Sequence, residues 1–100
     1  MARVKASKER LADFCRRHNI RRLSIFGSAL RKDFKPKSDV DILVEFKKDK
    51  TPSLLQMVRM EAELNKLYKN RKIDLRTPEE LSRYFRDKVI SASEVQYAGR

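Results

Sequence analysis

Two aspartates at the start of a hydrophobic strand constrain this chain more than any other feature. Residues 39–46 are expected to form a β-strand because apolar residues dominate them, yet Asp39 and Asp41 occupy two of the positions. Successive strand side chains point to opposite faces, so these two carboxylates share one face, with Cα atoms about 6 to 7 Å apart. Two unit charges about 4 Å apart repel by roughly 4 kcal/mol at an effective dielectric constant near 20. A cation between them relieves that repulsion, and a divalent metal is the natural candidate.

Hydrophobic periodicity predicts helices and strands in the order helix, strand, strand, helix, strand, helix. Ser7 is expected to cap a first helix that ends near His18, and Thr51 with Pro52 to begin a long second helix. The strands are expected at residues 20–26, 39–46 and 72–76, the long helix at residues 54–68, and a final helical region from a capping box at residues 77–80 to about Val95. This order predicts the α+β class, a small mixed sheet with helices packed against it.

The long helix carries one mostly apolar face, on which Glu61 is the charged member. Core packing is the expected role of this face and of the apolar residues near the C-terminus. The residues concerned are Leu54, Met57, Val58, Leu64, Leu67, Tyr68, Val89, Ile90, Val95 and Tyr97.

Length and charge limit what the chain can do. One hundred residues predict a single domain over residues 1–100, with no second lobe. Lys and Arg total 25 against 14 Asp and Glu, and the formal charge of +11 favours a phosphate-rich partner, either nucleotide or nucleic acid. The longest apolar run, residues 42–44, is far short of the ~20 residues that cross a bilayer. One cysteine cannot form an internal disulfide, so no membrane span and a cytoplasmic location are expected.

Two familiar metal sites do not fit the sequence. Cys15 and His18 form a lone C-x-x-H pair, whereas structural zinc needs four ligands. Cys15 is therefore expected at the edge of the core, and His18 as a solvated residue at the end of its helix. The aspartate pair lacks the glutamate that an EF-hand has at its twelfth loop position.

A phosphate-binding turn and a third carboxylate complete the constellation. Gly27 follows a predicted strand and lets another group approach the backbone, while Ser28 offers its N–H and its hydroxyl to a phosphate oxygen. Asp74 lies on a short strand between apolar residues, although a plain surface acid beside Lys72 and Arg76 is the alternative interpretation. Together Asp39, Asp41 and Asp74 could hold two metals about 3.5 to 4 Å apart, the arrangement that serves phosphoryl displacement. Asp74 would also receive the proton of the acceptor hydroxyl.

These motifs resemble the nucleotidyltransferase superfamily that includes DNA polymerase beta. Gly27 and Ser28 are followed by ten residues, then by Asp39, Asp41 and a hydrophobic run. Residues 54–67 resemble the long helix of the minimal, single-domain branch, and residues 72–79 resemble the strand of its third carboxylate and the helix start after it. The resemblance covers almost the whole chain.

The resemblance implies a polymerase beta-like palm fold and transfer of a nucleoside monophosphate, usually AMP from ATP, to a hydroxyl with release of pyrophosphate. Two Mg²⁺ ions are expected on Asp39, Asp41 and Asp74, and Gly27, Ser28 and Ser38 are expected to bind the triphosphate. Minimal members are commonly antitoxins of a HEPN ribonuclease toxin, and some add AMP to a tyrosine of that partner. Lys32 replaces a glycine that the family often has in the loop, which leaves the choice of nucleotide open.

Other functions remain open from the sequence. The domain could neutralise a partner by contact alone, with the acids as residual ligands. It could also bind nucleic acid through its basic residues, although no RNA-binding signature interleaves aromatics with them and a solvated face is expected. These residues are Arg16, Arg17, Arg21, Arg22, Lys35, Lys37, Lys47, Lys48, Lys69, Arg71 and Lys72. Because no second lobe is left to hold base and acceptor, a partner or a second copy of the chain is expected to complete the site.

Overall fold

The computed structural model describes residues 6–27 and 39–99, and all structural statements concern these ranges. They contain helices α1 (Lys8–Arg17), α2 (Leu54–Leu67) and α3 (Arg86–Ala92), a 3₁₀ turn (Pro78–Glu80), and strands β1 (Ile20–Phe26), β2 (Val40–Phe46), β3 (Ile73–Arg76) and β4 (Glu94–Ala98). No helix in these ranges is long and apolar enough to span a bilayer.

The four strands form one sheet in the order β3-β2-β1-β4. Strand β1 is antiparallel to both β2 and β4, whereas β2 and β3 run parallel. A parallel pair needs a crossover connection, and α2 supplies it. The sheet is therefore mixed and helices pack against it, which confirms the predicted class.

The hydrophobic core lies on one face of this sheet. Alternate residues of the strands are buried there, as the two-residue period of a strand requires. Helices α1 and α2 cover them. The core consists of Leu11, Phe14, Cys15, Ile20, Leu23, Ile25, Val40, Ile42, Val44, Met60, Leu64, Tyr68, Ile73 and Leu75. Asp41 and Asp74 lie between core residues of their strands, so they belong to the opposite face.

Helix α1 begins and ends as its sequence predicts, but the surroundings of Cys15 and His18 differ from the expectation. The Ser7 hydroxyl accepts a hydrogen bond from the Arg10 N–H at 3.4 Å, which confirms the cap. Cys15 is fully buried rather than at the core edge, and burial raises the pKa of its thiol to about 12. The prediction of a solvated His18 is wrong, because its ring packs on Phe14 with centroids 4.6 Å apart and its Nε2 lies 3.2 Å from Glu63.

The N-cap of α2 is Ser53, two residues after the cap predicted at Thr51. The Ser53 hydroxyl accepts from the Gln56 N–H at 3.3 Å, and the Gln56 side chain accepts from the Ser53 N–H at 3.1 Å. This reciprocal capping box satisfies two backbone donors of the first turn, which neither Thr51 nor Pro52 does in the structure.

The apolar face of α2 is also rotated relative to the expectation. Met60 and Leu64 are fully buried, whereas Leu54 is 86% exposed and Val58 61% exposed, so the prediction of core packing is wrong for the last two. An α-helix turns about 100° per residue, so Val58 lies roughly 200° around the helix from Met60. The side that faces the sheet therefore cannot include Val58.

The sequence suggested one helical region at the C-terminus, but the structure has a 3₁₀ turn, helix α3 and strand β4 there. The capping box at its start is present, since the Glu80 carboxylate accepts from the Thr77 N–H at 3.3 Å. Helix α3 then ends at Ala92, and β4 pairs with β1 through Leu23 with Tyr97 and Ser24 with Val95. Strand β1 would otherwise have an unpaired edge, and β4 satisfies its backbone groups. Val95 is consequently half exposed rather than in the core.

Candidate active site

Asp41 and Asp74 stand side by side on the face of the sheet opposite the core. They are register partners across the parallel β2–β3 pair. Neighbouring strands lie about 4.8 Å apart, so two segments distant in sequence bring their carboxylates together. Both side chains are partly buried. This juxtaposition is what the two-residue period of the strands and the sequence motif together led us to expect.

Gly27 directly follows the neighbouring strand β1 and lies against the Asp41 side chain. Its φ angle is +71°, in the left-handed region that favours glycine. The residue before it, Phe26, is the register partner of Asp41. A methyl group built on Gly27 would overlap the Asp41 carboxylate and lie 3.2 Å from its Cγ. Backbone conformation and lack of space therefore both require glycine at this position.

Asp39 lies just outside the strand that was expected to contain it. Strand β2 begins at Val40, whose N–H donates to the Lys72 carbonyl at 2.8 Å, while Asp39 is exposed. In residues 6–27 and 39–99, no three His, Cys, Asp or Glu side chains form a ready-made metal cage. The convergence of Asp39 with Asp41 and Asp74 stays a prediction.

Five other residues singled out in the sequence lie outside the described ranges. They fall within residues 28–38 and are Ser28 and Ser38, expected to bind phosphate, Lys32, which departs from the family pattern, and the basic residues Lys35 and Lys37. Their proposed roles rest on the sequence.

Asp74 is held by an arginine of its own strand. The Arg76 Nε donates to Asp74 Oδ1 at 3.0 Å, because residues two apart on a strand share a face. The pKa of Arg76 is raised by this hydrogen bond first, and further by the negative charges of Asp74, Glu80 and Asp41. From the sequence, Arg76 was expected only as a neighbour of Asp74 if Asp74 were a plain surface acid. The signal for its place in the site was the i, i+2 spacing on a predicted strand.

Glu61 is a further acid that the sequence analysis did not place in the site. It lies on α2, and its pKa is raised by burial first and then by the charge of Asp74, whereas Arg76 and Lys72 act in the opposite direction. The charge of Glu61 therefore adds to the negative potential around Asp74. A single charged residue on an otherwise apolar helix face was the signal that could have identified it.

The donor set fits a hard divalent cation. Mg²⁺ prefers oxygen ligands and is commonly bound through one or two carboxylates. Asp41 and Asp74 supply two adjacent carboxylates, and the bare Cα of Gly27 leaves the Asp41 oxygens the space they occupy. The repulsion expected between these acids is balanced here by the Arg76 guanidinium. The arrangement can therefore hold a cation on the sheet face.

Comparisons with known proteins identify the family of the chain. Residues 9–98 match the family model described as polymerase beta, nucleotidyltransferase. A Methanocaldococcus jannaschii protein described as a protein adenylyltransferase is 34% identical over 84% of this chain and 87% of its own length.

Two solved structures share the fold. A structure described as a minimal nucleotidyltransferase has a TM-score of 0.69 and 30% identity, covering 86% of this chain and 85% of that one. A toxin–antitoxin structure with AMP-PNP has a TM-score of 0.72 at 16% identity, covering 94% of this chain and 75% of that one. The resemblance drawn from the motifs is thus confirmed, and the chain belongs to the polymerase beta nucleotidyltransferase family of enzymes.

Proposed function

We propose that this protein transfers AMP from ATP to a hydroxyl group of a partner protein. The acceptor we propose is a tyrosine of a HEPN ribonuclease toxin, which the modification would silence, so the chain would act as a cytoplasmic antitoxin. The pairing of Asp41 with Asp74 beside Gly27 carries this proposal, because it puts two carboxylates next to the strand end where the family motif has its phosphate-binding turn. The sequence similarity to a protein described as a protein adenylyltransferase supports the choice of reaction.

Asp39, Asp41 and Asp74 are the residues that would hold two Mg²⁺ ions. Bound there, the ions would neutralise charge on the attacking and leaving oxygens of the displacement. The partial burial of Asp41 and Asp74 supports this role, since a less hydrated carboxylate attracts a cation more strongly.

The remaining chemistry belongs to the chain's own groups. Ser28, Ser38 and the backbone after Gly27 would hold the triphosphate. Asp74 would accept the proton of the acceptor hydroxyl as its oxygen forms a bond to the α-phosphorus. The bond from that phosphorus to the β-phosphate oxygen breaks, and pyrophosphate leaves. Positioning and charge therefore supply most of the catalysis, as in other phosphoryl transfers.

A partner would complete the site. We propose that residues 1–100 form one domain and that the partner contributes to holding the acceptor. The side chains of Leu54, Leu55 and Val58 on α2 are apolar and exposed. Association with a helical partner would bury them, so they support such a contact. The fold shared with a toxin–antitoxin structure supports the same partner class.

Transfer of label tests the proposal. The purified chain is incubated with Mg²⁺, each of four α-labelled nucleoside triphosphates and a HEPN protein encoded beside it. Label from ATP is expected on a tyrosine of the partner, and Asp41→Asn is expected to abolish it. Asp49→Asn is the matched control, because Asp49 lies on an exposed turn at φ +61°, a conformation that asparagine accepts. Equal labelling by Asp41→Asn and wild type would refute the proposal.

Neutralisation by contact alone is the second candidate function, favoured by the same exposed apolar residues of α2. The two functions differ in what Asp41→Asn does to toxin neutralisation in cells. Full protection by that variant would support contact alone, whereas lost protection with an intact complex would support chemistry.

A further inference from the structure

We infer that Arg76 competes with the divalent metal for Asp74 and moves to Glu80 when the metal binds. The inference rests on the proposed function, in which Asp74 is a metal ligand. It makes Arg76 a positioning residue that sets how tightly this chain holds metal.

The first observation is that Arg76 forms an ion pair with the Asp74 carboxylate. Its Nε lies 3.0 Å from Asp74 Oδ1, and both side chains are about half exposed, at 48% and 40%. An arginine stays protonated at every working pH, so it cannot leave by losing a proton. A metal ion on Asp74 would stand beside the positively charged Arg76 guanidinium. The repulsion between the two cations would then move the guanidinium away.

The second observation is a receiving carboxylate within reach. Arg76 Nη1 lies 3.9 Å from Glu80 Oε2. The other oxygen, Oε1, accepts from the Thr77 N–H at 3.3 Å and from the Thr77 hydroxyl at 3.2 Å. The cap thus fixes Glu80 and leaves Oε2 toward Arg76. A small rotation of the arginine exchanges one carboxylate for the other without leaving its charge unpaired.

The third observation is that Lys72, on the other side of Asp74 in the sequence, does not pair with it within the described ranges. Lys72 stands two residues before Asp74, as Arg76 stands two residues after it, and it is also exposed and basic. In the described part of the chain, Asp74 has its ion pair with Arg76 and none with Lys72. Lys72 therefore contributes a similar charge to the neighbourhood without occupying the carboxylate, which makes it the matched control.

Titration with Mn²⁺ in the absence of nucleotide tests the competition. Free Mn²⁺ is followed by its electron paramagnetic resonance at 0.15 M salt. An exposed ion pair is worth up to about 1 kcal/mol, so Arg76→Gln is expected to bind Mn²⁺ about two- to fivefold more tightly than wild type. Lys72→Gln is expected to change the affinity by less than about 1.5-fold, because salt screens a charge that makes no contact. An effect of Arg76→Gln no larger than that of Lys72→Gln would overturn the inference.

The transfer to Glu80 has its own test. Glu80→Gln keeps the acceptor that caps Thr77 and removes the charge that receives Arg76. It is expected to weaken Mn²⁺ binding about twofold in the wild-type background, and to have a smaller effect when Arg76→Gln is also present. Equal effects in both backgrounds would show that Glu80 acts only as a distant charge and would overturn the handover.

Asp74→Asn separates failure of this inference from failure of the proposed function. If that variant loses Mn²⁺ binding while Arg76→Gln binds as wild type does, the ligand role stands and the inference falls. If Asp74→Asn binds Mn²⁺ as wild type does, Asp74 is not a ligand and both are refuted. Thermal unfolding of each variant, expected to match wild type, excludes misfolding as the cause.

Discussion

The two faces of the four-stranded sheet differ in what the same strands supply to each. On one face, alternate residues such as Ile42 and Leu75 are sealed beneath α1 and α2. On the other, the residues between them include Asp41, Asp74 and Arg76, which are partly or fully exposed. The strand period thus places the core cluster and the acidic residues on opposite faces of the sheet. Substitutions on the two faces should therefore have different consequences for activity and for stability.

The largest effect is expected on the acidic face. Asp74→Asn should lower the rate of nucleotide transfer about a thousandfold, because a metal ion supplies several kcal/mol of charge stabilisation that depends on its ligands. The free energy of unfolding should change by less than about 1 kcal/mol, since the Arg76 pair that is lost is exposed. Transfer rates and urea denaturation measure the two quantities. A large loss of stability would contradict the separation of the faces.

On the core face, Phe14→Ala should have the largest effect on stability. Phe14 is fully buried at the centre of the α1 contact, and truncation of a buried phenylalanine costs about 3 to 5 kcal/mol. Val95→Ala is the control, because Val95 is 51% exposed, and surface changes usually stay within about 0.5 kcal/mol. Urea denaturation compares them. Similar losses for both variants would mean that the sheet is not packed as described.

Gly27→Ala should lower both the stability and the Mn²⁺ affinity, because Gly27 follows a core strand and lies beside the acidic site. A Cβ at a left-handed backbone position costs about 1 to 2 kcal/mol, and here it also overlaps the Asp41 carboxylate. We expect a loss of stability of that size together with weaker Mn²⁺ binding. Denaturation and Mn²⁺ titration of the same sample measure both, and unchanged Mn²⁺ affinity would remove Gly27 from the site.

The smallest effect is expected at Cys15. Its pKa of about 12, raised by burial, leaves almost no reactive thiolate at pH 8 in the folded protein. Alkylation by iodoacetamide should therefore proceed only through unfolding, and it should accelerate in Phe14→Ala. Mass spectrometry over time measures the rate. Fast labelling of the folded wild type would show that the core is open beside α1.

Local patterns were enough to predict the first part of the fold. Strand β1 and the cap at Ser7 match their predictions, since period and capping chemistry lie within a few residues of sequence. Strand β4 was missed because it forms by pairing with the edge of β1, which is far away in the sequence. The helical region predicted from residue 77 was therefore extended to about Val95, into β4.

The candidate site divides in the same way. The pairing of Asp41 with Asp74 followed from strand period and motif, whereas the Arg76 hydrogen bond and the charge of Glu61 depend on side-chain placement. The exposure of Leu54 and Val58 could not be predicted either, because α2 carries apolar residues on more than one side and the sequence does not say which side meets the sheet.

Paramagnetic broadening tests most directly whether the acidic face is the functional one. A ¹H–¹⁵N spectrum of the labelled chain is recorded while Mn²⁺ is added together with a non-hydrolysable ATP analogue. The amide signals of Gly27, Asp41 and Asp74 are expected to broaden first, and those of α1 to persist, because paramagnetic relaxation falls steeply with distance from the ion. Broadening that begins in α1, or that spreads evenly over the chain, would contradict a metal–nucleotide site on this face of the sheet.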